Sequence, residues 1–202
     1  MKKFTIILCL FIFLSSCQSK NTLDLSDINN MQITHDMPEL IYFDETEAII
    51  VGEFGIAVFD VGRRSITHRL SWNELSNIFY KGGKPDIRAS CDGTEIYIGI
   101  ANPNSLSISE FDYTYKIKLS KIVKQKTDVL DPKVFNPSYF NGDNLLEYSP
   151  YFNDNYSKSY SYIEKDNHFV YLRVTKDWKM KNLQLVICPL NNGESEIINI
   201  FQ

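Results

Sequence analysis

The chain has little of what most chemical sites are made from. Histidine occurs three times in 202 residues, at His35, His68 and His168, and none has a cysteine or second histidine at metal-ligand spacing, so no zinc centre is expected. There is no glycine-rich phosphate loop, no nucleophile elbow and no His-Glu-x-x-His pair. Nucleotide binding, serine-hydrolase chemistry and zinc-protease chemistry therefore have no motif to rest on, and no cofactor is expected. A basic excess is missing too, with 21 Lys and Arg against 25 Asp and Glu, which makes nucleic acid an unsuitable partner. No apolar run approaches the roughly 20 residues that a membrane-crossing helix needs.

The longest apolar stretch runs from Phe4 to Leu14, preceded by Lys2 and Lys3 and followed by Ser15, Ser16 and Cys17. A charged start, a short apolar core and small residues at its end are the anatomy of a secretory signal. The end of the stretch, Leu14-Ser15-Ser16-Cys17, resembles the lipobox of bacterial lipoproteins. That resemblance covers the export signal and leaves the following domain undescribed. It implies cleavage before Cys17, a diacylglyceryl group on its sulfur, and acylation of the new amino group. Several acyl chains are what stable anchoring requires, since one alone binds a membrane only marginally. Position 18 is Gln rather than Asp, which by the lipoprotein sorting rule implies an outer-membrane anchor facing the periplasm.

On this reading residues 1–16 are a signal peptide, 17–30 a lipidated cysteine and polar tether, and 31–202 a single mostly β domain. Loss of Lys2 and Lys3 leaves 19 basic against 25 acidic side chains. Cys91 and Cys188 remain in a compartment where disulfides persist, and they allow one bridge, although each can equally be a free thiol within its own strand.

Short apolar runs recur along the domain at Glu39 to Phe43, Ala48 to Val51, Ile56 to Val61, Glu95 to Ile100, Leu106 to Phe111, Tyr115 to Leu119, Phe169 to Val174 and Leu183 to Ile187. These are strand lengths. Turn residues fall between them at Asp44-Glu45, Asp92-Gly93, Asn102-Pro103-Asn104 and Asn191-Asn192-Gly193, so antiparallel hairpins follow. One short helix is expected after Ser71, which forms a capping-box pair with Glu74, with Leu70 and Leu75 at staple positions and Gly82-Gly83 beyond its end.

Asp44-Glu45-Thr46-Glu47-Ala48 returns 48 residues later as Asp92-Gly93-Thr94-Glu95-Ile96, and Phe59-Asp60 returns as Phe111-Asp112. The period and the strand-turn-strand order resemble β-propeller blades. Asp166-Asn167-His168 can open a further unit. The expected fold is mainly all-β, an antiparallel meander of propeller-like or open multi-blade sheets with one short helix; a β-sandwich is the alternative.

Seven of the twelve tyrosines fall between Tyr139 and Tyr171, with Phe140, Phe152 and Phe169 among them. Tyrosine joins a rigid apolar face to a polar tip, so this segment is the candidate binding surface, with Tyr151, Tyr156, Tyr160 and Tyr162 as its candidate contacts. Aromatic cross-strand pairing within a sheet is the competing role. Lys158, Tyr160 and Tyr162 are expected on one face of a strand and Ser159 and Ser161 on the other. The carboxylates Asp44, Glu45 and Glu47 form a turn cluster that reads as a solvated edge more simply than as a glycosidase pair. The function expected is therefore non-enzymatic: a lipid-anchored envelope protein binding a protein partner, of the envelope-assembly or toxin-immunity type. A glycan-binding lipoprotein is the alternative, and an envelope hydrolase a weaker one.

Overall fold

A computed structural model of the chain describes residues 25–34, 36–79, 85–100, 110–141, 151–152, 155–191 and 193–201. Cys17, His35, Asn102-Pro103-Asn104, Gly82-Gly83 and Asn192 lie outside them. No described helix is long and apolar enough to cross a membrane.

Thirteen described strands form three antiparallel meanders. Sheet 1 holds β1 (Glu39–Phe43), β2 (Glu47–Gly52), β3 (Gly55–Asp60) and β4 (Ser65–Leu70), in that spatial order. Sheet 2 holds β5 (Pro85–Ala89), β6 (Glu95–Ile100), β7 (Glu110–Lys116) and β8 (Lys121–Asp128), again in chain order. Sheet 3 runs through β9 (Ser138–Tyr139), β10 (Tyr156–Lys165), β11 (His168–Thr175), β12 (Gln184–Pro189) and β13 (Glu196–Asn199). The protein is mainly β, built from open antiparallel sheets.

Sheet 1 is the middle layer. Its Leu40, Ala48, Ile50, Ala57 and Phe59 pack with Val170, Leu172, Leu185 and Ile187 of sheet 3. Its Ile41, Ile49, Ile56 and Val58 pack with Ile87, Ala89, Ile96 and Ile98 of sheet 2. Both faces of β1, β2 and β3 are therefore largely dry, and β2 and β3 read as continuous apolar runs instead of alternating ones.

Three turns follow from local sequence. Asp44 Oδ1 accepts from the Thr46 N–H and hydroxyl and from the Glu47 N–H, each at 2.7 Å. Its counterpart Asp92 Oδ1 accepts from the Thr94 N–H at 3.1 Å, the Thr94 hydroxyl at 2.8 Å and the Ser90 hydroxyl at 2.6 Å. The repeated Asp-x-Thr is thus a turn staple, placed before the second strand of sheets 1 and 2 alike. Asp166 and Asn167, with φ of 50° and 63°, make the two-residue hairpin between β10 and β11, a geometry Asn and Asp tolerate well. Helix α2 (Trp72–Phe79) begins as expected: the Ser71 N–H and hydroxyl both donate to Glu74 Oε2 at 2.8 Å.

Several expectations are corrected. The polar stretch expected as a tether to Asn30 ends instead in helix α1 (Leu25–Asn30), so the folded part begins before residue 31. The reason is its scattered apolar residues. Ile28 is fully buried, and Ile33 N–H donates to the Trp178 carbonyl at 2.8 Å while Met180 N–H donates to that of Met31 at 3.0 Å. Tyr115 to Leu119 is not a separate strand: β7 ends at Lys116, and Ile117–Leu119 is a 3₁₀ turn closed by Ser120 in the left-handed region. Of the two states open to Cys91 and Cys188, a bridge or free thiols, the structure has the second, with one thiol exposed and one buried. They belong to different outer layers, Cys91 following β5 and Cys188 lying on β12, with sheet 1 between.

Candidate functional site

The segment rich in tyrosine supplies the outer face of sheet 3. Register places Phe169, Tyr171 and Arg173 of β11 opposite Cys188, Val186 and Gln184 of β12, and Tyr162 opposite Tyr171. Tyr162, Phe169, Tyr171, Val186 and Cys188 form one buried cluster, with Phe140, Tyr151 and Phe152 packed over it. Some of the rings meet edge to face, Phe140 and Phe152 at 77° and Phe152 and Tyr171 at 89°, and others are tilted, Phe169 and Tyr171 at 34°. Tyr171 donates from its hydroxyl to the Tyr151 carbonyl at 2.8 Å. Burial, helped by Cys188, pushes that hydroxyl up to about 12, against the nearby Arg173 guanidinium. The Cys188 thiol is raised by its own burial, in opposition to a hydrogen bond from Ser195.

The four candidate contacts therefore divide. Tyr162 is 7% exposed and belongs to the core, whereas Tyr160 is 65% exposed. Tyr151 and Tyr156 are half-buried, the first covering the ring cluster and the second lying under Arg173, whose guanidinium carbon is 3.8 Å from the ring centre. The strand's alternation stands as expected for its inward half. Ser159 and Ser161 are buried; Ser161 Oγ accepts from the Leu40 N–H of sheet 1 at 3.1 Å, and Ser159 Oγ accepts from the Leu172 N–H at 3.2 Å. On the other face, Lys158 Nζ lies 5.1 Å and 4.7 Å from the Phe140 and Phe152 ring centres.

Sequence reasoning missed the polar end of this face. Arg173 Nε donates to Gln184 Oε1 at 2.9 Å, and Gln184 Nε2 donates to Asn199 Oδ1 at 2.9 Å. Tyr156, Arg173, Gln184 and Asn199 thus make a row across β10, β11, β12 and β13, all half-buried. No motif announces it, because its members are scattered over 44 residues and meet only through strand register.

A second recess lies between sheets 1 and 2. It is an open cleft of about 470 Å³ lined by His68, Leu70, Glu74, Tyr115, Ser120 and Lys121, among others. Glu74 is committed to capping α2, and burial holds the Tyr115 hydroxyl above its ordinary range, against its hydrogen bond with Ser120. His168 is far from His68, at the start of β11 opposite Pro189. Asp44, offered above as one member of a carboxylate cluster, is saturated by its turn; burial would raise its pKa, but the Thr46 and Glu47 hydrogen bonds outweigh this and lower it.

No family of known proteins, no characterised protein and no solved structure matches this chain. A layer with both sides buried offers a ligand nothing but its edges. The outer face of sheet 3, by contrast, combines a rigid aromatic bed with exposed polar groups, which is the composition of a recognition surface.

Proposed function

We propose that the chain is a lipid-anchored protein of the bacterial cell envelope, held at the outer membrane through Cys17, that presents its β domain to a protein partner. The anchoring half rests on the lipobox-like Leu14-Ser15-Ser16-Cys17. The binding half rests on one observation: the outer face of sheet 3 exposes Tyr160 and the Tyr156 to Asn199 row beside rings that packing holds rigid. A protein suits this face better than a sugar, because the clustered rings are set at angles of 34° to 89° to one another and largely covered instead of forming a flat platform beside a groove.

Both halves are tested in cells that make the native chain. Cys17→Ser should move the protein from the detergent-extracted membrane fraction to the soluble periplasmic one, or leave it as uncleaved precursor. A photo-cross-linking residue in place of Tyr160 should give one discrete protein adduct, and the same residue in place of Lys124, exposed on the outer edge strand of sheet 2, should not. Unchanged membrane extraction of the Cys17 variant, or identical labelling from positions 160 and 124, overturns the corresponding half.

A further inference from the structure

Lys158 of β10 and Arg173 of β11 are direct cross-strand partners on the outer face of sheet 3. Like charges placed directly opposite each other weaken a sheet. Five cations elsewhere do pair with a carboxylate: Arg63 with Asp60, Arg64 with Glu196, Arg88 with Asp86, Lys116 with Glu95 and Lys126 with Glu110. Among the described residues neither Lys158 nor Arg173 has one, although the chain carries more acids than bases. Both are held by ring faces instead, Lys158 over Phe140 and Phe152, and Arg173 over Tyr156.

The neighbouring amides add direction. Each side-chain carbonyl in the Arg173, Gln184, Asn199 chain is engaged by the donor before it. Arg173 also bonds the Tyr171 hydroxyl, and each amide carbonyl keeps one lone pair, but most of the polar capacity left is donors: the remaining guanidinium N–H groups, the second Gln184 N–H, the Asn199 amide and the Lys158 ammonium. A surface that offers donors and positive charge fits carboxylates, and a guanidinium already fixed by stacking and by its Nε bond loses little freedom on receiving one. Ile197, 46% exposed and opposite Val186, stands on the same face. It is two strands and two residues of register from Arg173, about 12 Å, which about three to four extended residues span.

We propose that this face binds an extended acidic segment of a protein partner, with adjacent carboxylates at Lys158 and Arg173 and an apolar side chain against Ile197. The inference rests on the protein-partner reading above and names the partner's chemistry. Ile197 favours a peptide over an acidic polysaccharide, which has no aliphatic side chain to place there.

The probe is a synthetic peptide, capped at both ends, with two adjacent glutamates and a leucine three residues further on, titrated into the full-length protein in detergent. Lys158→Met and Arg173→Gln should each weaken its binding at least tenfold, Ile197→Ser several-fold, and replacing the two peptide glutamates by glutamine at least tenfold. Lys158→Met retains the stem over the rings and removes the like-charge neighbour, so its melting temperature should not fall. The proposal is overturned if the acidic peptide does not bind below millimolar concentration, if it binds the Lys158 variant as it binds the native protein, if the glutamine peptide binds as well, or if polygalacturonate binds in preference. A persisting cross-link from position 160 alongside any of those results would leave the partner reading standing and remove only the acidic motif.

Discussion

Ser161→Ala should separate the two layers that Ser161 joins. The side chain is fully buried, and its hydroxyl accepts from the N–H of Leu40, 121 residues away, at 3.1 Å. Leu40 lies beside an irregularity in the β1–β2 register, and its N–H points at sheet 3. Alanine leaves that donor buried without a partner, a loss of about 1–3 kcal/mol. Taking about 2 kcal/mol, and about 2–4 °C per kcal/mol for a domain of this size, the melting temperature should fall by about 4–8 °C. Urea unfolding should show a lower midpoint with an unchanged slope, since the surface exposed on unfolding is the same. Ser65→Ala, at an exposed position of β4, should stay within about 0.5 kcal/mol of the native protein. Ser159 donates to the Ser161 carbonyl at 2.7 Å, so the double variant should depart from additivity. A Ser161→Ala change as small as that of Ser65→Ala would refute the idea that this hydroxyl joins sheet 1 to sheet 3.

Gly93→Ala should destabilise by about 2 kcal/mol or more, because φ is 70° and a Cβ there would stand 2.6 Å from the Tyr42 ring; Glu45→Ala, the corresponding place in the first copy, should change stability by less than about 0.5 kcal/mol in the same urea titration. Of Cys91 and Cys188, an alkylating reagent at pH 8 should modify Cys91 alone in the native protein and both after unfolding, as read by peptide mapping, since burial both shields the Cys188 thiol and raises its pKa. Asp44 and Asp92 titrate below the ordinary 3.8, Asp44 because its turn hydrogen bonds outweigh burial and Asp92 chiefly through the Ser90 hydroxyl. Their contribution to stability is complete above that value and fades as pH falls through the folded pKa, because the unfolded carboxylates take up protons first; Asp44→Asn should therefore be less stable than the native protein at pH 7 and lose less on going from pH 5 to pH 2, and parallel acid profiles would contradict this.

What the sequence disclosed, and what it did not, follows from how many faces of a strand are dry. β2 and β3 are buried on both sides, so their apolar runs stand out in the sequence. β8, an outer edge strand reading Lys-Ile-Val-Lys-Gln-Lys-Thr-Asp, alternates too weakly to be noticed; its lysines suit an edge that must not pair with another chain. β4 and β13 were missed for the same reason, with exposed positions interrupting short apolar ones. The Asp-x-Thr repeat was visible because a turn staple is local, needing three consecutive residues. The Tyr156 to Asn199 row was not, because it depends on the register of four strands. Tyrosine enrichment marked an aromatic face of sheet 3 but could not tell Tyr162, packed in the ring cluster, from Tyr160, two residues away and exposed.

The order of the layers explains why the proposed recognition surface falls on sheet 3. Sheet 1 is held from both sides, so its side chains are fixed by packing and cannot change without disturbing two interfaces. Sheets 2 and 3 each bury one face on sheet 1 and must manage the other alone. Sheet 2 does so with a small cluster of Tyr97, Phe111 and Val134, beside carboxylates that leave the Tyr97 hydroxyl, already raised by burial, at about 12. Sheet 3 covers its aromatic cluster with Phe140, Tyr151 and Phe152, and sets the half-buried Lys158 and Arg173 against the rings at its border. A sheet selected for stability alone would place a carboxylate opposite one of those cations, as β6 and β7 do with Glu95 and Lys116. Lys158 and Arg173 face each other with no carboxylate among the described residues, and that pairing is what the proposed acidic partner would relieve.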